Sequence, residues 1–459
     1  MYEPDAASAL SPLRALLPET GARLLVGGSA ETAAALGAEL CPVDRLAEQE
    51  SGSFAAAILL EGLDEADRPL LASLRRLLED KGRLLIARQR SIPQELTVAL
   101  SEAGFVIVKA DDEISGLVIG ARKEPFFVRE YREGDEEQIL PLFRRSFFVE
   151  RSPARFSWEY LENPHGNRMI SEAFSEDGRL VAHYAGYPVR FYSELRGEPR
   201  TLPALQVGDT MTEPAVRHVG RGPTSLLGRT VRHYYARFCE GRVAFNYGVN
   251  TGNIQRFSMS FVGARRLEDL PYHVRDARAP VAVPRSWRTQ LAGYRVERFT
   301  HFDERWDDLF RRVRGAYRLL IERDARYLEW RYARCPDTEY HLWAVFRRSR
   351  LAGWSVFRHR GERGERLAWG DALFDPRYPA ALPLLFAHVL AVPEHRGTEL
   401  VETWLTSRPA WWSEKVRALG FASRPEPQEL GFVYVPFEVD PEEDFREALY
   451  YTMGDSDLF

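Results

Sequence analysis

An internal duplication constrains the fold of this chain more than any other feature of its sequence. Three stretches recur in the same order and at a nearly constant offset. The paired stretches are 128–131 with 296–299, 155–164 with 326–336, and 178–183 with 349–354. The middle pair shares the pattern Trp-x-Tyr-x-x-x-Pro, which is typical of packed aromatic side chains before the end of a helix. Ordered matches of this kind predict two copies of one structural unit.

The segment 22–123, which precedes both copies, alternates short apolar runs with helical patterns. Five of its apolar runs are typical of strands: 23–26, 54–60, 83–87, 105–108 and 117–120. Between the second and third runs, leucines recur at helical spacing from Leu70 to Leu78, and Gly82 stands where a helix C-cap favours glycine. This alternation predicts an α/β domain with a parallel or mostly parallel sheet.

Two stretches of this segment resemble a cofactor-binding family. FAAAILLEGLDEADRPLLASLRRLLEDKGRLLIA and GFVIVKADDEISGLVIGARK are similar to the middle and the last strands of class I S-adenosylmethionine-dependent methyltransferases. The resemblance implies a Rossmann-like sheet. The family's cofactor loop usually carries three glycines, whereas 26–32 here is VGGSAET, and Asp44 is the acidic candidate for the ribose. We therefore expect a degenerate domain that does not bind S-adenosylmethionine, and not an active methyltransferase.

A further stretch, 204–238, predicts a strand, a loop and a helix. The loop is RHVGRG at 217–222, Pro223 follows at the favoured first helical position, and apolar residues then recur at helical spacing. These apolar residues are Leu227, Val231, Tyr234 and Phe238. A helix N-terminus leaves backbone N–H groups unpaired, and glycines let an anion approach the main chain closely. The pattern favours a phosphate site, and it also suits a tight strand-to-helix turn.

The spacing Arg217-x-x-Gly220-x-Gly222 after a strand resembles the pyrophosphate loop of the GNAT superfamily of N-acyltransferases. The resemblance implies that acetyl-CoA or another acyl-CoA is the co-substrate. Its pyrophosphate would lie on the loop backbone, and its pantetheine arm would pair with the end of the preceding strand. The residues implied in coenzyme binding are Met211, Thr212, Arg217, Val219, Gly220, Arg221, Gly222, Asn250 and Asn253.

Acyl transfer to an amine needs a base that removes a proton from the amine and an acid that protonates the leaving thiolate. Asp209 and Glu213 are the candidate bases because they flank the strand that leads into the loop, and strand alternation predicts that they share a face. A tyrosine often serves as the acid in this family. The matching position is Met259 here, so Tyr247 or Tyr184 would have to substitute, although either also fits a buried core tyrosine.

The second copy lacks the loop. Its corresponding stretch, 370–383, contains three prolines and no glycine after Gly370, and proline removes backbone donors. The predicted fold class is therefore α/β and α+β: a Rossmann-like sheet followed by two tandem GNAT-like domains. The boundaries are 1–124 for the methyltransferase-like domain, 125–290 for the GNAT domain with the coenzyme loop, 291–440 for the GNAT-like domain without it, and 441–459 for a tail.

Composition narrows the class of protein. The net charge of −5 gives no electrostatic case for nucleic acid, and no apolar run is long enough for a membrane span. The three cysteines are far apart and fit neither a disulfide framework nor a zinc pattern, so we expect no metal and a cytoplasmic location. Nothing in the sequence sets an oligomeric state.

These patterns predict a GNAT-type N-acetyltransferase that acts on an amine of a small molecule or a sugar. Two alternatives stay open. One is a coenzyme A-binding scaffold or sensor without turnover, which the missing tyrosine at Met259 permits. The other is a Fem-like transferase that pairs two GNAT folds and uses aminoacyl-tRNA, against which the intact loop argues.

Overall fold

The computed structural model describes residues 13–26, 29–59, 67–88, 94–111, 117–195, 197–283 and 293–459. The chain forms two compact units. Unit 1 consists of Met1–Glu150, Ile170–Ala185 and Asp209–Glu240, and unit 2 of Arg151–Met169, Gly186–Gly208 and Gly241–Phe459. The predicted boundaries of the four segments stay a prediction.

Unit 1 begins with a six-stranded sheet in the order β2-β1-β3-β4-β6-β5. Its elements are β1 Arg23–Val26, α1 Ala30–Leu36, β2 Glu39–Cys41, β3 Phe54–Leu59, α2 Arg68–Leu77, β4 Leu78–Arg88, α3 Gln94–Glu102, β5 Phe105–Asp111 and β6 Leu117–Lys123. Strands β1 to β4 pair in parallel, whereas β6 is antiparallel to both β4 and β5. The prediction of a mostly parallel sheet is confirmed.

The prediction that Gly82 caps the leucine-rich helix is wrong. Helix α2 ends at Leu77, because Leu78 already pairs with Phe54 as the first residue of β4, and Gly82 lies inside that strand. Leu71, Leu74 and Leu77 are buried as the spacing predicts. Strand pairing has shortened the helix that periodicity alone would extend.

The rest of unit 1 holds a second group of strands and two longer helices. Its elements are β7 Phe126–Glu130, α4 Glu136–Phe147, β8 Ile170–Ser175, the first part of β9 Leu180–Ser193, the last part of β10 Arg200–Thr212, and α6 Leu226–Tyr234. Strand β8 pairs antiparallel with both β7 and β9. Asp135 precedes α4, and its carboxylate accepts from Arg129 at 2.6 and 2.8 Å and does not cap the helix.

Unit 2 contains the other parts of β9 and β10 and two sheet regions. The added elements are α5 Pro153–Tyr160, β11 Phe245–Asn250, α7 Gly252–Phe261, β12 Arg265–Asp269, β13 Tyr272–Asp276, β14 Tyr294–Arg298, α8 Glu304–Tyr317, β15 Leu319–Ile321, α9 Ala325–Leu328, β16 His341–Arg347, β17 Arg350–Arg360, β18 Arg366–Phe374, α10 Ala381–Ala391, β19 Leu400–Trp404, α11 Ala410–Arg417, β20 Ala422–Ser423, β21 Gly431–Pro436 and α12 Glu442–Ala448. One region runs β12-β21-β11-β10-β9 with β15 beside β9, and the other runs β14-β16-β17-β18-β19-β13-β20.

The two predicted copies share their order of elements. A strand, two helices, an antiparallel hairpin, a further strand and a helix follow one another from β7 to α6 and again from β14 to α10, where the short strand β15 is inserted between the two helices. In the shared aromatic motif, Trp158 and Trp330 stack with ring centroids 4.9 Å apart. Each indole N–H donates to the backbone carbonyl of the other tryptophan, at 2.6 and 2.8 Å. This contact is reciprocal, as it would be between two equivalent halves.

The tail is packed into unit 2. Its acidic residues Glu442, Glu443 and Asp444 form the first turn of α12. Tyr450 and Phe459 are buried beyond that helix. Among the described residues, no helix combines the length and the apolar character that crossing a bilayer requires.

The reciprocal tryptophan contact gives a stability prediction. Trp330→Phe leaves the buried Trp158 carbonyl without its donor, so we expect it to lower the free energy of unfolding by about 1–3 kcal/mol more than a matched substitution. The matched variant is Trp354→Phe, because Trp354 is also fully buried but its indole N–H has no acceptor. Urea denaturation measures both. Equal losses would show that the reciprocal bonds contribute nothing beyond side-chain volume.

Candidate functional site

The predicted loop follows β10 directly. Pro214–Val216 form one 3-10 turn, the loop 217–221 comes next, and Gly222–Thr224 form a second 3-10 turn before α6. Pro223 therefore lies in the second turn, and the prediction that it opens the helix is wrong.

Ser225 is the residue that caps α6. Its hydroxyl accepts a hydrogen bond from the Gly228 N–H at 3.0 Å, which satisfies one of the backbone donors that a helix N-terminus leaves unpaired. Leu226, Val231 and Tyr234 are buried. Leu227 is only half-buried, and Phe238 lies in a π-helical turn, Tyr235–Cys239, after the helix.

Two glycines shape the loop. Gly220 has φ +71° and Gly222 has φ +52°, a left-handed backbone that most residues adopt at a cost. A Cβ atom on Gly220 would also lie 2.8 Å from the Cα of Ser225 and would collide with the Thr224 carbonyl oxygen. The loop thus folds back against the start of α6 so closely that only glycine fits at position 220.

The loop keeps several backbone donors open. Within the described part of the chain, no hydrogen bond uses the N–H groups of His218, Gly220 or Gly222. The Arg221 N–H reaches only the Thr224 hydroxyl, at 3.5 Å. These donors stand at the N-terminal end of a nine-residue helix, where the backbone carries partial positive charge, so the segment favours an anion.

The loop is held by one apolar side chain and flanked by exposed charge. Val219 packs against a buried cluster that includes Val128 and Leu226. Arg217 and Arg221 are exposed, and Arg217 Nε donates to the carbonyl of Thr212, the last residue of β10, at 3.1 Å. The loop therefore carries two exposed guanidinium groups.

Strand β10 makes few parallel contacts with β11. The parallel pairs are Ala204 with Phe245, Leu205 with Asn246 and Gln206 with Tyr247. Among the described residues, no parallel pair with β11 follows along 207–212, although β10 continues to Thr212. Met211 in this last part is buried, and Thr212 is half-buried.

The two predicted bases have different surroundings. Asp209 is nearly buried and has φ +50°, so the regular alternation that was expected to place it on the face of Glu213 is interrupted at this residue. The Glu213 carboxylate accepts from Arg145 at 2.8 and 3.0 Å, and its backbone N–H donates to Val181 at 2.8 Å. Both residues belong to unit 1, as do Met211, Thr212 and the loop.

Tyr247, Asn250 and Asn253 belong to unit 2. Tyr247 is buried, its ring stacks on Phe432, and its hydroxyl donates to the Asp455 carbonyl at 2.9 Å. Burial raises the pKa of Tyr247 well above its usual range. Asn250 ends β11 and is half-exposed, and Asn253 lies in α7.

The other positions named from the sequence are Tyr184, Met259 and Asp44. Tyr184, in unit 1, is buried against Tyr234 and Tyr235, and burial raises its pKa well above its usual range. Met259, at the position where the family often has tyrosine, is exposed. Asp44, the acidic candidate of the N-terminal domain, lies exposed in a 3-10 turn, and positions 27 and 28 of the VGGSAET loop lie outside the described residues.

One acidic residue that sequence reasoning missed lies beside β10. Asp457 is half-exposed, and its Oδ1 accepts from Gln206 Nε2 at 3.0 Å. A Cβ on Gly208 would lie 2.8 Å from Asp457 Oδ2, so the carboxylate sits directly on the strand backbone. The aromatic and acidic composition of the tail signals that it docks, but only the fold shows which strand it reaches.

Comparison with known proteins supports a GNAT domain in this part of the chain. Residues 127–260, which include β7 to α7 and the loop, match the family model described as an acetyltransferase (GNAT) domain. No curated protein sequence gives a significant match.

Solved structures agree on the fold. A conserved protein from Enterococcus faecalis V583, described as a probable N-acyltransferase, matches with a TM-score of 0.50 at 10% identity over 68% of this chain and 73% of its own. A GCN5-related N-acetyltransferase from Anabaena variabilis ATCC 29413 matches with a TM-score of 0.50 at 12% identity over 67% and 72%. These matches show that the chain shares the fold of these two proteins.

The loop glycine gives a second stability prediction. Gly220→Ala meets both an unfavourable φ and a steric collision, whereas Gly241→Ala, at φ +66° with no atom within 4 Å of the added Cβ, meets only the first. We expect Gly241→Ala to cost about 1–2 kcal/mol of unfolding free energy and Gly220→Ala to cost clearly more. Equilibrium unfolding in urea measures both. Equal costs would mean that the loop does not press against α6.

Proposed function

We propose that this protein is an N-acyltransferase that transfers an acetyl or other short acyl group from acyl-CoA to an amine of a small molecule or a sugar. The observation that carries the proposal is the set of open N–H groups of His218, Gly220 and Gly222 at the start of α6, within the GNAT match. Backbone donors with fixed orientation suit a pyrophosphate because they need no rearrangement when it binds.

In this proposal the loop and the strand before it bind different parts of the coenzyme. The open N–H groups of His218, Gly220 and Gly222 hold the pyrophosphate, whereas the Val219 N–H already donates to the Val216 carbonyl at 3.0 Å. The guanidinium groups of Arg217 and Arg221 add charge-assisted contacts. Met211 and Thr212 lie in the part of β10 that makes no parallel pair with β11, so main-chain groups there suit the amides of the pantetheine arm. Asn250 and Asn253 stay candidates for orienting pantetheine or substrate.

The chemistry requires two proton transfers. The amine nitrogen forms a bond to the thioester carbonyl carbon while a base removes its proton; the carbon–sulfur bond then breaks, and the thiolate takes up a proton. Asp209 and Glu213 stay candidate bases, and we add Asp457 because it lies against Gly208, close in sequence to Met211 on the same strand. Glu213 is the least available of the three because Arg145 binds it.

Tyr247 is the candidate acid. The Tyr247 hydroxyl donates a hydrogen bond to the Asp455 carbonyl, so this hydrogen bond would have to break before Tyr247 could protonate a thiolate. This observation favours a second candidate function, a coenzyme A-binding protein without turnover. The two functions share the loop and differ only in product formation.

The remaining segments are proposed as scaffolds. For 1–124, the antiparallel final pair of a mostly parallel sheet supports a degenerate methyltransferase-like domain. For 291–440, the repeated element order and the reciprocal tryptophan contact support a second GNAT-like copy. The corresponding position of the second copy follows β18. Asp375 there accepts from the Arg377 N–H at 3.0 Å and from Arg312 at 2.6 Å, so these donors are already paired with a carboxylate of the chain.

Binding of acetyl-CoA tests the loop. We expect isothermal titration calorimetry to give one site per chain, and Arg217→Glu to weaken binding by about 10- to 100-fold because it replaces a charge-assisted contact with repulsion. Arg242→Glu, an exposed residue with the same charge change, is the control. Titration of S-adenosylmethionine should give no heat of binding. Unchanged affinity in Arg217→Glu would remove the loop from the proposed function.

Turnover separates the enzyme from the non-catalytic protein. With a panel of small amines and amino sugars, thiol release from acetyl-CoA should identify an acceptor, and Asp457→Asn should then lower kcat by about 100-fold or more without weakening coenzyme binding. Asp209→Asn and Glu213→Gln are measured beside it, with Asp80→Asn as an exposed control. Tight binding without thiol release for any acceptor would favour the scaffold or sensor.

A further inference from the structure

Unit 2 contains a cluster of histidines that the proposed acyl transfer does not use. His341 begins β16, His359 lies near the end of β17, and His395 ends a short 3-10 turn, Pro393–His395, after α10. Glu394 lies beside them. The three imidazole rings are close, with centroid separations of 4.9 to 5.2 Å.

Three side-chain atoms of this cluster, two imidazole nitrogens and one carboxylate oxygen, lie close together. His341 Nδ1 lies 3.6 Å from Glu394 Oε1, and His395 Nε2 lies 3.8 Å from the same oxygen. All three atoms lie within 4.8 Å of one another. Ligands of a tetrahedral zinc ion at about 2.0–2.1 Å stand about 3.4 Å apart, so small side-chain rotations bring these atoms into range.

The two nitrogen atoms have no hydrogen-bond partner. His341 Nδ1 and His395 Nε2 are both buried without a donor or acceptor in the described structure. His341 is 6% exposed and His395 is 2% exposed. Leaving a buried polar atom unpaired costs about 1–3 kcal/mol, and two such atoms that face one carboxylate oxygen would both be satisfied by a cation placed between them.

A chain of hydrogen bonds sets the tautomer of His395. His359 Nδ1 lies 2.9 Å from the Gly364 carbonyl, which can only accept, so this nitrogen carries the proton. His359 Nε2 is then an acceptor, and it lies 2.9 Å from His395 Nδ1, which must donate. The Nε2 lone pair of His395 is thereby directed toward His341 and Glu394. Hydrogen bonds of this kind, made by the ring nitrogen that does not bind the metal, orient metal-binding histidines.

Charge and burial also suit a ligand set. His341 and His395 are buried, and Glu394 supplies the negative charge of the set. Glu394 is 35% exposed at its side chain, and its other oxygen, Oε2, accepts from Arg298 at 2.8 Å. One carboxylate oxygen is therefore fixed and the other is left for the cation.

The geometry points to a metal site in which His341, Glu394 and His395 bind one divalent transition-metal ion of the zinc class through Nδ1, Oε1 and Nε2. Two imidazoles and one carboxylate are a common set for Zn²⁺ and Co²⁺, and harder ions prefer oxygen. Three protein ligands leave a fourth position for water on the exposed side of Glu394. His359 acts as a positioning residue, and the expectation of no metal is revised here.

Metal titration of the full chain tests this site. After treatment with a chelator, the protein is titrated with Zn²⁺ by calorimetry and with Co²⁺ by visible absorption. We expect one ion per chain and an absorption band typical of tetrahedral Co²⁺. Glu394→Gln and His395→Gln should each weaken Zn²⁺ binding at least 100-fold, and His359→Leu should weaken it about 10- to 100-fold by releasing the His395 tautomer.

The control is His301→Gln, because His301 lies 3.1 Å from Glu329 in an exposed pair without a second histidine. Its Zn²⁺ affinity should match that of the unchanged protein. Circular dichroism in the presence of chelator checks that each variant folds, and Glu394→Gln changes a partly exposed side chain. Absence of a one-to-one Zn²⁺ complex in the unchanged protein, or equal affinity in Glu394→Gln and His301→Gln, would overturn the site.

Discussion

The order of unit 2 depends on two arginines that are enclosed by protein. Arg323 is 0% exposed and Arg331 is 1% exposed. Arg323 donates to Asp455 at 2.7 and 2.9 Å and to Asp371 at 3.1 Å, whereas Arg331 donates to backbone carbonyls of the tail, Ser456 at 2.9 Å and Phe459 at 3.0 Å. A buried charge without partners costs several kcal/mol, so loss of the tail would destabilise unit 2. The tail is therefore part of the core and no appendage.

This anchoring places the groups that matter for the candidate chemistry. Phe459 occupies the space that a side chain at Gly370 would need, so β18 requires glycine there. With Asp455 held by Arg323, its carbonyl accepts from Tyr247, and two residues further on Asp457 reaches Gln206 and the backbone at Gly208. A change at Arg323 would thus affect the carboxylate beside β10 without touching it. The position of a candidate base depends on a salt bridge elsewhere in the unit.

Local patterns made much of this fold predictable, and long-range contacts account for the rest. Periodicity and glycine spacing identified five of the six strands of the N-terminal sheet and the loop before α6, because these features depend on neighbours in sequence. Gly82 and Pro223 were misassigned where strand pairing at Leu78 and capping by Ser225 compete with the local preference. Asp457 and the histidines of the metal site could not be found, because their partners are distant in sequence and only the fold brings them together. Asp209 adopts a positive φ that no alternation rule anticipates.

The two predicted copies meet the same physical demand in opposite ways. A strand that turns into a helix leaves backbone donors that need an acceptor. After β18 the chain supplies its own, since the nearly inaccessible Asp375 accepts from Arg312 and from the backbone and side chain of Arg377. After β10 the donors of His218, Gly220 and Gly222 are left open, and a Gly220 that tolerates no side chain keeps the backbone accessible. A fold that leaves such groups unpaired is stabilised by whatever anion binds them, since a ligand that binds only the folded state adds its binding free energy to stability. A bound anion would therefore add stability at the first loop, whereas the second loop already has its own acceptor.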